Sequence, residues 1–147
     1  MEKRCVRLKK LNEKAIVPSY GTEFAAGADL YALADDAIEI KAHETVLIHT
    51  GVALEIPEGF VGLIFARSGL ASKQGLAPAN KVGVIDSDYR GEIMVPLHNH
   101  TDSAKTIKGA ERIAQLVIMP YVSAEFELCD EFSETARGEN GFGSTGK

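Results

Sequence analysis

The sequence has only two cysteines, Cys5 and Cys129, far apart and in no C-x-x-C pairing. That excludes a disulfide framework and fits two reduced thiols in a reducing compartment. Long hydrophobic runs are missing as well, and no stretch approaches the ~20 apolar residues of a membrane-spanning helix. The opening segment MEKRCVRLKK is basic but lacks the apolar run of a secretion signal. Positive charge is not in excess. The formal net charge of −5 argues against nucleic acid and against membranes as partners. A phosphate-bearing ligand would have to be met by local arginines, backbone dipoles or a metal ion. Long amphipathic helical patterns, internal repeats and charged blocks are absent too, which excludes helical bundles and repeat architectures. A cytoplasmic protein is expected.

What is present is a chain of 147 residues, the size of one domain, able to bury about two-thirds of its unfolded surface. Seven short segments rich in Val, Ile, Leu and Phe read as strands: VRLKKL, ETVLIHTGVALEI, FVGLIFA, KVGVID, EIMVPLH, RIAQLVIMPYV and EFELC. Turn signals such as Pro57-Glu58-Gly59 and Arg90-Gly91-Glu92 separate them. Many short strands at close spacing predict an all-β sandwich, jelly roll or barrel. One short helix is predicted in RSGLASKQGL, with Ser68 as N-cap and Gly75 in the left-handed position after its last turn. Such a short helix is marginal alone, and a plain connector is the alternative. As a helix, it sets the N–H groups after Ser68 beside Arg67 in an arrangement suited to an anion.

Three further stretches bear on chemistry. The terminal RGENGFGSTGK contains G-x-x-x-x-G-K, but the polar DEFSETA upstream is no strand and no Ser or Thr follows Lys147, so a Walker loop is not expected. A frayed glycine-rich tail is the plain alternative. Phe142 and Arg137 argue instead for an arm that closes over a nucleotide, ring on base and guanidinium on phosphate. GVIDSDYRGEI, residues 83 to 93, reads as a β-hairpin with Asp86 and Asp88 near its tip and Tyr89 just after. These are common turn residues, yet Asp86 there could polarise a water while exposed backbone reads a base edge. In AAGADLYA, Asp29 is either a local turn acceptor or a carboxylate for magnesium, which keeps its waters. His98 and His100 form H-x-H, but a zinc site needs a third ligand and none lies near in sequence.

Five motifs, AGADL at 26–30, ARSGL at 66–70, GVIDSDYRG at 83–91, ERIAQL at 111–116 and RGENGFGSTG at 137–146, stand in an order that resembles the trimeric dUTP diphosphatase (dUTPase) family. The resemblance spans nearly the whole chain. Two departures are visible: Ala110 and Ala79 stand where the family often has glycine. The resemblance implies a distorted jelly-roll subunit (residues 1–136) in a homotrimer, with a flexible arm (residues 137–147) that closes a neighbouring site. It implies Mg2+-assisted hydrolysis of dUTP to dUMP and pyrophosphate, which lowers dUTP and supplies the dTMP precursor. Carried over residue by residue, Asp86 is the general base, and Asp29 anchors the waters of the magnesium ion. Arg67, Ser68, the N–H of Gly69 and Gln115 hold the phosphates, joined from the arm by Arg137, Gly143 and Ser144. Phe142 covers the uracil, whose edge meets the backbone from Asn80 through Gly83, Val84 and Ile85. Tyr89 lies under the sugar and leaves no room for a 2′-hydroxyl. The alternatives are dCTP deaminase or its bifunctional relative, which share the fold, and a non-catalytic dUTP-binding regulatory module. The third and fifth motifs favour the diphosphatase.

Overall fold

The computed structural model describes residues 3–139. Among these the chain forms β1 (Arg7–Lys10), β2 (Ser19–Tyr20), β3 (Ala28–Tyr31), β4 (Ile38–Ile40), β5 (Thr45–Glu55), β6 (Phe60–Phe65), α1 (Ser68–Gln74), β7 (Leu76–Pro78), β8 (Gly83–Ile85), β9 (Glu92–Asn99), β10 (Lys105–Ile107) and β11 (Arg112–Pro120). The expected all-β architecture with one short helix is present.

Alternation explains the layers. In β9 the apolar Ile93, Val95 and Leu97 occupy every second position, so one face of the strand is made for burial. All three are fully buried, against Ile48 and Val52 of the long strand β5. β5 and β9 form the centre of a four-stranded antiparallel sheet of order β1-β5-β9-β7. A five-stranded sheet, β2-β3-β11-β6-β8, supplies Leu30, Ile64, Ala114 and Leu116 to the same core. The small pair β10-β4 contributes Ile40 and Ile107. Burying side chains of this size contributes about 1.5–3 kcal/mol each, which makes this core the main source of stability.

Two local devices shape the sheets. β5 slips its register against β9 between His49 and Ala53, with Gly51 there at φ 70°, a conformation cheap only for glycine. The buried Asn99 ties the end of β9 to β4, donating from Nδ2 to the carbonyls of Ile40, Lys41 and Ser103 at 2.8–3.0 Å.

Several expectations are corrected. GVIDSDYRGEI is not a hairpin, because β8 pairs with β6 while β9 pairs with β5 and β7 in the other sheet. Both edges of β9 are already taken, so residues 86–91 cross from sheet to sheet instead. Ser68 is the first helical residue and not the N-cap; Arg67 holds that position in an extended conformation without a side-chain cap. Gly75 does adopt the left-handed conformation, at φ 69°. EFELC forms no strand: Phe126 and Leu128 are 94% and 101% exposed, and among the described residues no strand edge pairs with that segment. His98 and His100 meet edge to face at 4.4 Å, and no cluster of three metal-binding side chains exists among the described residues.

Candidate active site

Register brings the first half of the site together. On β11, Gln115 lies opposite Asp29 of β3 on one side and Phe65 of β6 on the other. Arg67 and Ser68 follow two and three residues past Phe65, so strand ends and the start of α1 converge over Asp29. Arg67 Nε donates to Asp29 Oδ1 at 2.7 Å, and Arg112 Nη1 donates to Oδ2 at 3.3 Å. With its side chain only 13% exposed, Asp29 is a fixed anchor that aims two guanidinium groups. Gln115 Nε2 donates to the Ala66 carbonyl at 2.8 Å, which leaves its second N–H for a ligand. Gly27 makes room for that carboxamide: a Cβ there would lie 2.6 Å from Gln115 Oε1.

These residues line a cleft of about 640 Å³ together with Gly69, Lys73, Gln74 and Glu111. Arg67, Arg112 and Lys73 stand against Asp29 and Glu111, giving a locally positive cleft in a chain whose net charge is −5. Such a surface draws a polyanion but leaves much of a triphosphate's charge unbalanced. Lys73, Gln74, Glu111 and Arg112 were not assigned to the site from sequence. For Arg112 a plain alternation would set it on the face opposite Gln115. The register shift between Arg112 and Ala114 brings it to the same side.

The second half lies elsewhere on the chain. Val84, Ile85, Asp86 and Tyr89 line a separate hollow of about 200 Å³ with Leu47, Glu92 and Met94. The two share no lining residue. Ile85 pairs with Gly62, so Asp86 lies beside Val61, at the far end of β6 from Arg67. Six residues of strand at about 3.3 Å each separate them by roughly 20 Å. Asp86 and the Arg67 cleft of one chain thus lie at opposite ends of β6, in separate hollows.

Ala79, at one departure from the family pattern, is tied to β9 by its N–H on the Pro96 carbonyl at 2.7 Å. The left-handed residue of that loop is Lys81, not Ala79 or Asn80. Asn80 is exposed, with Gly83 buried beside its side chain. Arg137 is exposed, and Phe142, Gly143 and Ser144 lie outside the described residues.

The dUTPase family model matches residues 13–146. A deoxyuridine 5′-triphosphate nucleotidohydrolase of Nautilia profundicola is 52% identical over 142 residues, covering 97% of this chain and 99% of the relative. Its counterpart in Acinetobacter baumannii is 49% identical over 139 residues, covering 94% and 93%. The structure of Staphylococcus bacteriophage 80alpha dUTPase with dUPNHPP superposes with a TM-score of 0.90 at 31% identity, over 99% of this chain and 100% of that one. A family-model match over nearly the whole chain, full-length relatives about half identical and a closely superposing fold make the chain a member of the dUTPase family.

Proposed function

We propose that the protein hydrolyses dUTP to dUMP and pyrophosphate in a homotrimer whose sites are each assembled from several copies. The observation that carries the shared site is that Asp86 and the Arg67 cleft of one chain line separate hollows with no residue in common, at opposite ends of β6. A second copy bringing its Asp86 hollow to this cleft would give one chamber with cations at one end and a carboxylate at the other. The extended segment after β11 supports the same reading. Val122, Phe126, Leu128 and Phe132 are each more than 90% exposed, apolar surface that suits another copy better than solvent.

In that chamber Asp86 takes a proton from water, and the water oxygen attacks the α-phosphorus. The bond from that phosphorus to the bridging oxygen breaks, and pyrophosphate leaves. Arg67, the Gly69 N–H, Ser68 and Gln115 hold the phosphate chain, and Arg137 with Ser144 and Gly143 grips its far end. Positioning and charge neutralisation are the main demands of phosphoryl transfer. Mg2+ bound to the triphosphate supplies the neutralisation the cleft lacks. Asp29 suits it only through water, because each of its oxygens already accepts from a guanidinium. Main-chain groups from Asn80 to Asp86 pair with the uracil edge, and Phe142 covers the base.

Two exposed free cysteines suit a cytoplasmic site of action, and no helix among the described residues is long and apolar enough to cross a membrane. The test is a panel of deoxynucleoside triphosphates with magnesium, monitored for both pyrophosphate and ammonia. Pyrophosphate from dUTP alone is expected. Ammonia from dCTP would instead assign a deaminase, and binding without either product a regulatory module.

A further inference from the structure

Tyr89 is held by its neighbours rather than by the core. Its hydroxyl donates to the Glu92 carbonyl at 3.0 Å, and its ring folds back across Gly91. A Cβ at residue 91 would lie 2.3 Å from the Tyr89 hydroxyl oxygen and 2.5 Å from Cζ. Gly91 is not in the left-handed region, so its backbone would accept alanine and the objection is contact alone. Glu92, which receives the phenol, is itself pinned. Its Oε1 accepts from the Gly51 N–H at 2.8 Å and its Oε2 lies 2.8 Å from His49 Nδ1, both on the displaced stretch of β5.

We infer that Gly91 is a specificity-determining position, acting through Tyr89, with Glu92 and His49 as the brace that fixes it. The inference rests on the proposed dUTP site and on the family resemblance that puts Tyr89 under the sugar. The missing side chain lets the phenol lie flat against the backbone and reach the carbonyl of the next residue, Glu92. Any side chain at 91 breaks that bond and levers the ring toward solvent, where it is already 42% exposed. The space it vacates is the space a 2′-hydroxyl needs. Gly91→Ala thus relaxes the preference for deoxyribose without touching the phosphate cleft or Asp86.

The experiment measures kcat/KM for dUTP and UTP, with melting temperature, in four full-length proteins: wild type, Gly91→Ala, Tyr89→Ala and the double variant. Gly91→Ala is expected to raise the UTP-to-dUTP ratio about tenfold or more, the scale of a small steric change in a pocket. It is also expected to lower the melting temperature. In the Tyr89→Ala background the same substitution should change neither, because the ring it displaces is gone. An unchanged ratio in a folded, active Gly91→Ala protein overturns the inference. So does an equal loss of melting temperature in both backgrounds, a readout that survives if the single variant folds poorly. A wild-type protein inert toward dUTP would fail before any variant is compared, and would overturn the hydrolase reading instead.

Discussion

At the scale of single residues, charge and conformation decide what each position does. Asp29 illustrates the first, since both its oxygens are committed to Arg67 and Arg112 and its work is to aim them. Asp86 is exposed and in no such pair among the described contacts, and under the proposed mechanism it is the carboxylate that meets the attacking water. Asp86→Asn should therefore lower kcat for dUTP by about 10²–10⁴-fold while nucleotide binding, measured by calorimetry, stays near wild type. Ala110 illustrates the second. It stands at φ 64° where the family often carries glycine, a conformation that crowds its Cβ. Ala110→Gly should raise stability by about 0.5–1 kcal/mol, the strain relieved less the extra freedom of the unfolded chain, and a melting curve checks it. Asp29, Arg67, Ser68 and Asp86 stood out as candidates because each lies in a short stretch with its own chemistry, whereas Gln115 entered only through the family resemblance. Lys73 and Arg112 did not stand out, since the helix and a register shift bring them to the cleft, and neither is local in the chain.

At the scale of elements, strong alternation was readable and weak pairing was not. β9 and β11 carry enough periodic residues to declare themselves, whereas β2, β4, β7 and β10 have two or three residues and no pattern to read. The supposed hairpin at 83–93 failed for another reason: two apolar runs around a turn do not say which edges are free. The bridge between β5 and β9 has a consequence for pH. Burial raises the Glu92 carboxyl, but the hydrogen bonds from His49 and the Gly51 N–H and the His49 charge outweigh it, leaving it below its ordinary value. A depressed carboxyl stabilises the fold above its unfolded value of 4.5, and that contribution is lost as pH falls through the lower folded value. Melting temperature followed downward from neutral pH should drop across this window, and Glu92→Gln should flatten the drop. The proposed arm carries a prediction of its own. Deleting residues 137–147 should spare the melting temperature and lower kcat/KM by about 10²-fold, the scale of lost positioning.

At the scale of the whole molecule, a site divided between copies makes a distinctive demand on mixtures. Co-assembled Asp86→Asn and arm-deleted chains should recover activity that neither shows alone, since some chambers then draw each part from an intact copy; no recovery despite verified mixing would count against sharing. The sequence suggests assembly only through family resemblance, because a single chain's pattern fixes its own core and not its neighbours. The stretch from Tyr121 to Glu139 is exposed at every residue. In a lone copy it offers proteases an unguarded strap studded with phenylalanine and leucine. If the proposed trimer docks this strap, orphaned subunits would be trimmed and cleared while completed assemblies endure.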